Sequence, residues 1–169
     1  MPERRRRAKS RIDVDLVIEG GDWPDPDEIE TLIQVAAAEV AAERRFELGK
    51  VHVSVALAND SQVAILNDQF RGKAKATNVL SFPSGANGQE GFLGDIVVAF
   101  ETVAREAIEQ DVSLEHHVQH LIVHGLLHLL GLDHETNADA EFMESLEIQI
   151  LARLGIANPY TGALDGVKK

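Results

Sequence analysis

The segment 114–132 constrains the fold most strongly, because it combines an apolar helical pattern with regularly spaced histidines. Ser113 can cap its start and Gly131 follows its last periodic residue, so the pattern predicts a helix over 114–130. The mostly apolar run 121–132 contains two histidines and is far shorter than the ~20 residues of a membrane span. The segment therefore predicts a strongly apolar helix and no membrane crossing.

Apolar periodicity divides the rest of the chain into short strands and helices. Its 169 residues, 44% apolar and 26% charged, suit one globular domain. The predicted strands are 12–18, 51–57, 77–82 and 92–100, and the further predicted helices are 26–40, 59–66, 101–109 and 138–154. Because strands cluster early and helices late, the predicted fold is α+β, a mixed four-stranded sheet packed with helices in a single domain.

The chain contains no cysteine, which excludes disulfide frameworks, Cys-ligated zinc, iron–sulfur clusters and thiol catalysis. Its net charge of −12 is unevenly distributed, since residues 1–11 carry +5 and the remainder carries −17. No apolar signal-peptide core follows the arginines, so we expect a cytoplasmic protein. The predicted organisation is a basic flexible tail over 1–11, a domain over 12–160 and a C-terminal tail over 161–169.

Basic residues are scarce after residue 50, and three of them fall together. Arg71, Lys73 and Lys75 lie within five residues that include no acidic residue. Two interpretations remain open for this cluster. It is either a solvated loop or a place where an otherwise acidic protein contacts an anion.

Three histidines have the spacing of a catalytic metal site. His124 and His128 are four residues apart, so they project from one face of the predicted helix. Gly131 can adopt the left-handed conformation that ends a helix, which would bring His134 to the same point. Three imidazoles leave a fourth zinc position open, although nickel, cobalt and copper are also compatible. The alternative is a helix whose histidines never meet.

The remaining polar residues of this region have several interpretations. Residues eight apart on a helix are separated by ~12 Å, so His116, His117 and His120 cannot share an ion with both histidines of the pair. They either support the ligating residues from behind, serve as accessory groups or lie at the surface, and for each one alone we expect a surface position. Asp133 is either a turn residue or a carboxylate that orients an imidazole.

The ligand spacing is similar to that of metzincin peptidases, H-E-x-x-H-x-x-G-x-x-H, which makes the predicted helix zincin-like. Gly125 stands where those enzymes carry their glutamate base. The metal-binding frame is therefore present without the peptidase base, which argues against ordinary peptide hydrolysis.

Four ordered blocks resemble the YbeY family, the bacterial metal-dependent endoribonucleases of ribosomal RNA maturation. They cover most of 51–160 and comprise Leu66-Asn67 with Phe70-Arg71, the stretch 77–83, the stretch 93–96 and the motif His124–His134. Asn78 stands where many family members carry aspartate. The arginine-rich start has no counterpart in the resemblance.

The resemblance implies one zinc ion per chain, held by His124, His128 and His134. It also implies that Arg71 is a functional arginine and that His124 acts with a metal-bound water. The metal would activate that water or a ribose 2′-hydroxyl, or only polarise a phosphate oxygen. Ser81 and Asp95 either line the cleft or are ordinary strand and turn residues.

The implied function is single-strand-selective cleavage of ribosomal RNA, in 16S rRNA 3′ end maturation and ribosome quality control. The implied partners are ribosomal RNA and the small ribosomal subunit with its proteins. Two alternatives remain open, a metzincin-like metallopeptidase and a non-catalytic ribosome-assembly factor whose fold is stabilised by its metal.

Overall fold

The structure, a computed structural model, describes residues 10–72, 77–84, 91–133 and 135–160. The described strands are β1 (Arg11–Ile18), β2 (Lys50–Ala58), β3 (Val79–Pro83) and β4 (Phe92–Ala99). The described helices are α1 (Pro26–Ala41), α2 (Asp60–Arg71), α3 (Phe100–Gln110), α4 (Leu114–Leu129) and α5 (Asn137–Arg153). Lys73, Lys75, His134 and the parts 1–9 and 161–169 of the predicted tails lie outside the described residues, whereas Arg11 begins β1.

The four described strands form one mixed sheet in the order β1-β2-β4-β3. β1 and β4 both pair with β2 in parallel, whereas β3 pairs with β4 in the antiparallel sense. The parallel β1–β2 pair needs a crossover connection, which α1 supplies. β3 lies at an edge, where its last residue, Pro83, need not donate a ladder hydrogen bond. The predicted α+β fold with a mixed four-stranded sheet is confirmed.

Helix α4 lies at the centre of the packing. It contacts α1, α3 and α5, and it also contacts β3 and β4 of the sheet. Its buried side chains include Val118, Leu121, Ile122, Val123, Leu126 and Leu127. Burial on several sides explains its apolar sequence, because a helix covered by neighbours on more than one side needs more than a single apolar stripe.

Gly131 ends α4 as its sequence position predicts. It has a φ of +101°, and its N–H donates to the His128 carbonyl at 3.0 Å. The N–H of Leu132 donates to the Leu127 carbonyl, also at 3.0 Å, which completes a Schellman motif. The turn is therefore present, while the arrival of His134 at the helix stays a prediction.

Helix α2 is longer than its sequence pattern predicts. A capping box between Asn59 and Gln62 starts it, and it continues past Leu66 to Arg71. Val63 and Asn67 are its only buried residues, and the polar run Asn67-Asp68-Gln69 after Leu66 does not by itself indicate that the helix continues. Arg71 is consequently the last residue of a helix and does not lie in a solvated loop.

The apolar spacing in 138–154 predicts that Phe142, Met143, Leu146 and Ile150 all face inward, and the structure differs from this prediction at one of them. Met143, Leu146 and Ile150 are buried as expected, but Phe142 is 44% exposed. Its ring instead lies under the Arg45 guanidinium, 5.4 Å from the ring centre. Glu147 takes a place in the core with no solvent exposure.

None of the described helices is both long enough and apolar enough to cross a bilayer.

Close approach of β3 to β4 depends on Gly94. This residue pairs with Pro83 and has a φ of +142°. A Cβ atom there would lie 2.3 Å from the Phe82 carbonyl oxygen and 3.0 Å from Leu129 Cδ2 of α4. The Phe82 oxygen belongs to the backbone and cannot move aside as a side-chain tip can, so β3 can approach β4 this closely only with glycine at this position.

Replacing Gly94 with alanine is expected to lower the free energy of unfolding by about 2–5 kcal/mol, from overpacking and left-handed backbone strain. Gly49→Ala is the matched control, because Gly49 also has positive φ but no atom within 4 Å of an added Cβ. Urea denaturation of both variants measures the difference. Equal stability losses in the two proteins would contradict this account of the β3–β4 contact.

Candidate active site

A cavity of about 900 Å³ opens between α2, β3 and α4. Both histidines of the predicted pair line it, together with Arg71. The other described residues around it include Asn67, Asn78, Ser81, His120, Asp133 and Tyr160. The structure thus brings residues from distant parts of the sequence to one open space.

His124 and His128 of α4 face each other inside this cavity. His124 Nε2 lies 3.2 Å from His128 Nε2, and the ring planes are nearly perpendicular. This geometry follows from their four-residue spacing, which places both side chains on one face of the helix. The pair presents two nitrogens at nearly one point in space.

A carboxylate lies behind the pair. Glu147 of α5 is fully buried, and its Oε1 accepts a hydrogen bond from the Tyr160 hydroxyl at 2.8 Å. Its Oε2 lies 2.8 Å from His120 Nε2 and 3.3 Å from His124 Nδ1. His124 Nδ1 also lies 3.4 Å from Oε1, to which it can donate a hydrogen bond, whereas Oε2 has no well-aligned donor among the described residues.

The surroundings of Glu147 decide its protonation state. Burial raises its pKa, but the contacts with His120 and His124 outweigh burial and lower the pKa to about 2. Burial and the charge of Glu147 raise the pKa of Tyr160, which therefore remains a hydrogen-bond donor. An ionised Glu147 favours the His124 tautomer that carries its proton on Nδ1. This leaves the Nε2 lone pair directed toward His128.

This donor set suits a zinc ion. Zn–N bonds of about 2.0–2.1 Å in a tetrahedral site separate the two nitrogens by about 3.3–3.4 Å. The observed separation of 3.2 Å is close to that value. A carboxylate on the far nitrogen of a ligating histidine is also a usual feature of such sites. Among the described residues, which exclude His134, no group of three or more His, Asp or Glu side chains is arranged to hold a metal ion.

Arg71 reaches the same cavity from the end of α2. Its Nη2 donates a hydrogen bond to the Ser81 carbonyl of β3 at 3.2 Å. Its guanidinium also lies over the Phe82 ring, 5.6 Å from the ring centre. Arg71 is the only arginine or lysine among the described lining residues. The structure therefore brings Arg71, His124 and His128 together.

The other histidines of α4 differ in their surroundings. His116 is exposed, whereas His117 is buried, which makes a surface position for His117 wrong. His117 Nε2 lies 2.8 Å from Glu106 Oε1, and the same oxygen accepts a hydrogen bond from Asn78 at 3.0 Å. Burial lowers the pKa of His117, although Glu106 opposes this effect. This contact fixes α4 against α3.

The structure shows where Ser81, Asp95 and Asp133 lie, for each of which the sequence allowed two interpretations. Ser81 lines the cavity, whereas Asp95 pairs with Phe82 and projects from the opposite face of the sheet. Asp133 Oδ1 accepts a hydrogen bond from the Glu135 N–H at 3.1 Å, as a turn residue does. A Cβ at Gly125 would lie 3.0 Å from Ser81 Oγ, so this position packs against the sheet.

Sequence reasoning missed Glu147 and Tyr160. Glu147 stands in the apolar pattern of α5 between Leu146 and Ile150, and a charge at such a position is a signal of a buried partner. Tyr160 gives no comparable signal. It reaches Glu147 after α5 ends in a turn in which the Ile156 N–H donates to the Leu151 carbonyl.

Comparisons with known proteins agree with this architecture. The family model described as "Endoribonuclease YbeY" matches residues 21–155. A Chelativorans protein named endoribonuclease YbeY is 45% identical over 151 residues, 87% of this chain and 92% of that protein. The protein of the same name from Allorhizobium ampelinum is 43% identical over 161 residues, 90% of this chain and 96% of that protein.

A solved structure is also similar. The solution structure of TM1509 from Thermotoga maritima matches with a TM-score of 0.53 and 26% identity, over 85% of this chain and 91% of that one. The family expected from the four sequence blocks is thereby confirmed, and with it the prediction of an endoribonuclease. The chain belongs to the endoribonuclease YbeY family.

Proposed function

We propose that this chain is a zinc-dependent endoribonuclease that selects single-stranded regions of ribosomal RNA. Its role would be 16S rRNA 3′ end maturation and ribosome quality control, in the cytoplasm and in contact with the small ribosomal subunit. The catalytic domain would span 12–160, flanked by the two tails. Endoribonuclease is the name of the family and of its relatives, and the resemblance supports the ribosomal role.

One observation carries the proposal. Arg71 and the pair His124/His128 line the same cavity, although they come from α2 and α4. A phosphodiester is an anion, and a guanidinium can donate two parallel hydrogen bonds to phosphate oxygens. Arg71 would hold the phosphate and stabilise the charge that builds up on it during cleavage.

The histidines would hold the ion. His124 and His128 are the described ligands, and His134 is proposed as the third. A divalent ion at this position supplies Lewis-acid chemistry for phosphodiester cleavage. Glu147 would keep the His124 ring in its ligating orientation through its contact with Nδ1.

A peptidase reaction is disfavoured by Gly125. In the metzincin pattern this position carries the glutamate base. Here the position lies against Ser81 and Ile96, where even one additional carbon is tightly packed. RNA cleavage is the reaction that the remaining groups support.

Arg71→Ala is expected to lower kcat for a single-stranded RNA about 100-fold, because it removes a donor that stabilises developing charge. Arg71→Lys keeps the charge but not the two-pronged geometry, so partial recovery is expected. Arg105→Ala is the control, since Arg105 lies on α3 and is not among the described lining residues. Unchanged cleavage by Arg71→Ala would contradict the role given to this residue.

Removal of the metal by a chelator is expected to abolish RNA cleavage and to leave the helical circular-dichroism signal in place. α4 is held by apolar contacts with helices and sheet, so the fold does not depend on an ion. Elemental analysis before and after chelation identifies the metal. Unfolding on chelation, with RNA binding retained, would favour the assembly-factor alternative over this proposal.

Glu147→Gln is expected to weaken zinc affinity about 10–100-fold, because the ligating histidine loses the carboxylate that orients it. Competition with a chromophoric chelator measures this affinity. Glu141→Gln, on the exposed face of the same helix, is the matched control. Equal zinc affinities in the two variants would show that Glu147 does not act through His124.

A further inference from the structure

Two phenylalanines form an aromatic pair at the α2–β3 contact. Phe70 precedes Arg71 at the end of α2, and Phe82 lies in β3 between Ser81 and Pro83. Their ring centres are 5.3 Å apart with an interplanar angle of 60°. Phe82 packs against the smaller apolar cluster under α2, whereas Phe70 is 65% exposed. Phe70 therefore gains little from burial and presents most of its ring to solvent.

Arg71 joins this aromatic pair to the cavity. Its guanidinium lies over Phe82 and at the same time lines the space that contains His124 and His128. Ser81 and Pro83, on either side of Phe82, also line that space. Neither ring is itself among the described lining residues, but Phe70 directly precedes Arg71, so its exposed ring lies beside the arginine that enters the cavity.

We propose that the exposed ring of Phe70, which packs against Phe82, is a stacking platform for one unpaired base of the RNA, next to the phosphate that Arg71 holds. The inference rests on the proposed function and deepens it, because it names the feature that would select single strands. A base in a duplex is stacked between its neighbours, whereas an unpaired base is free to stack on an aromatic ring.

The charge of the chain favours this mode of binding. Beyond residue 11 the protein carries −17, and Arg71 is the only arginine or lysine among the described residues around the cavity. The described part of the cavity therefore provides few contacts to phosphate, and stacking adds affinity without charge. An aromatic ring beside a guanidinium is also a usual combination in proteins that hold single strands.

A matched set of variants separates stacking from apolar packing. Phe70→Ala removes the ring, Phe70→Leu keeps an apolar side chain without a π face, and Phe70→Trp keeps the π face. Phe142→Ala is the control, since Phe142 is also partly exposed and also has an arginine over its ring, but lies on α5 and not among the residues around the cavity. Thermal melting checks that all four variants fold.

The probes are short single-stranded RNAs of one sequence. One series carries a single abasic nucleotide at each position in turn, and another carries 2-aminopurine, whose fluorescence is quenched by stacking. With intact RNA, we expect Phe70→Ala and Phe70→Leu to lower kcat/KM at least about fivefold, mainly through KM, and Phe70→Trp to restore it. At one abasic position, the kcat/KM of the wild type should fall to that of Phe70→Ala, and the kcat/KM of Phe70→Ala should not fall further.

These experiments distinguish a failure of the stacking proposal from a failure of the proposed endoribonuclease function. If the wild type cleaves RNA and Phe70→Ala behaves as Phe142→Ala does, the stacking platform is wrong while the endoribonuclease stands, and Phe70 serves a protein partner instead. If the wild type cleaves none of the RNAs, the proposed function fails. In that case quenching of 2-aminopurine that is lost in Phe70→Ala still supports base stacking, and unchanged quenching overturns it.

Discussion

A buried carboxylate between two helices is the interaction on which the candidate site depends. Glu147 of α5 lies in the protein core with no solvent exposure, and an unpaired charge at such a place would be costly in free energy. Its contacts with His120, His124 and Tyr160 compensate for this and fix the rotation of α4 relative to α5. The same contacts direct the histidine nitrogens into the cavity, so stability and orientation have one cause.

Helix α4 combines two roles that are usually separate. Its apolar side chains pack against the sheet and the neighbouring helices, while the side that carries His120, His124 and His128 borders the cavity. A rigid, central helix holds its side chains more exactly in position than a loop does. The glycine at position 125 adds to this, because it allows α4 to approach Ser81 of the edge strand closely.

The fold class and the histidine pair were predictable from sequence because both depend on local periodicity. Alternation identified the strands, and a four-residue spacing identified His124 and His128. The roles of Glu147 and Tyr160 and the inward position of His117 were not predicted, because their partners lie on other elements of the fold, which the periodicity of one helix does not relate to each other. The predicted burial of Phe142 was wrong for a related reason. Apolar periodicity indicates which residues of a helix face the core, but it does not show that Arg45 covers the Phe142 ring at the surface.

The turn after α5 has a consequence for the order in which the site is completed. The turn brings the Tyr160 hydroxyl back to Glu147. Glu147 lies on α5, which follows α4 in the chain. During synthesis, the helix that carries Arg71 emerges first, the histidines follow, and the tyrosine comes last. The buried carboxylate therefore acquires its full set of donors only when the ribosome has made almost the whole of the described chain.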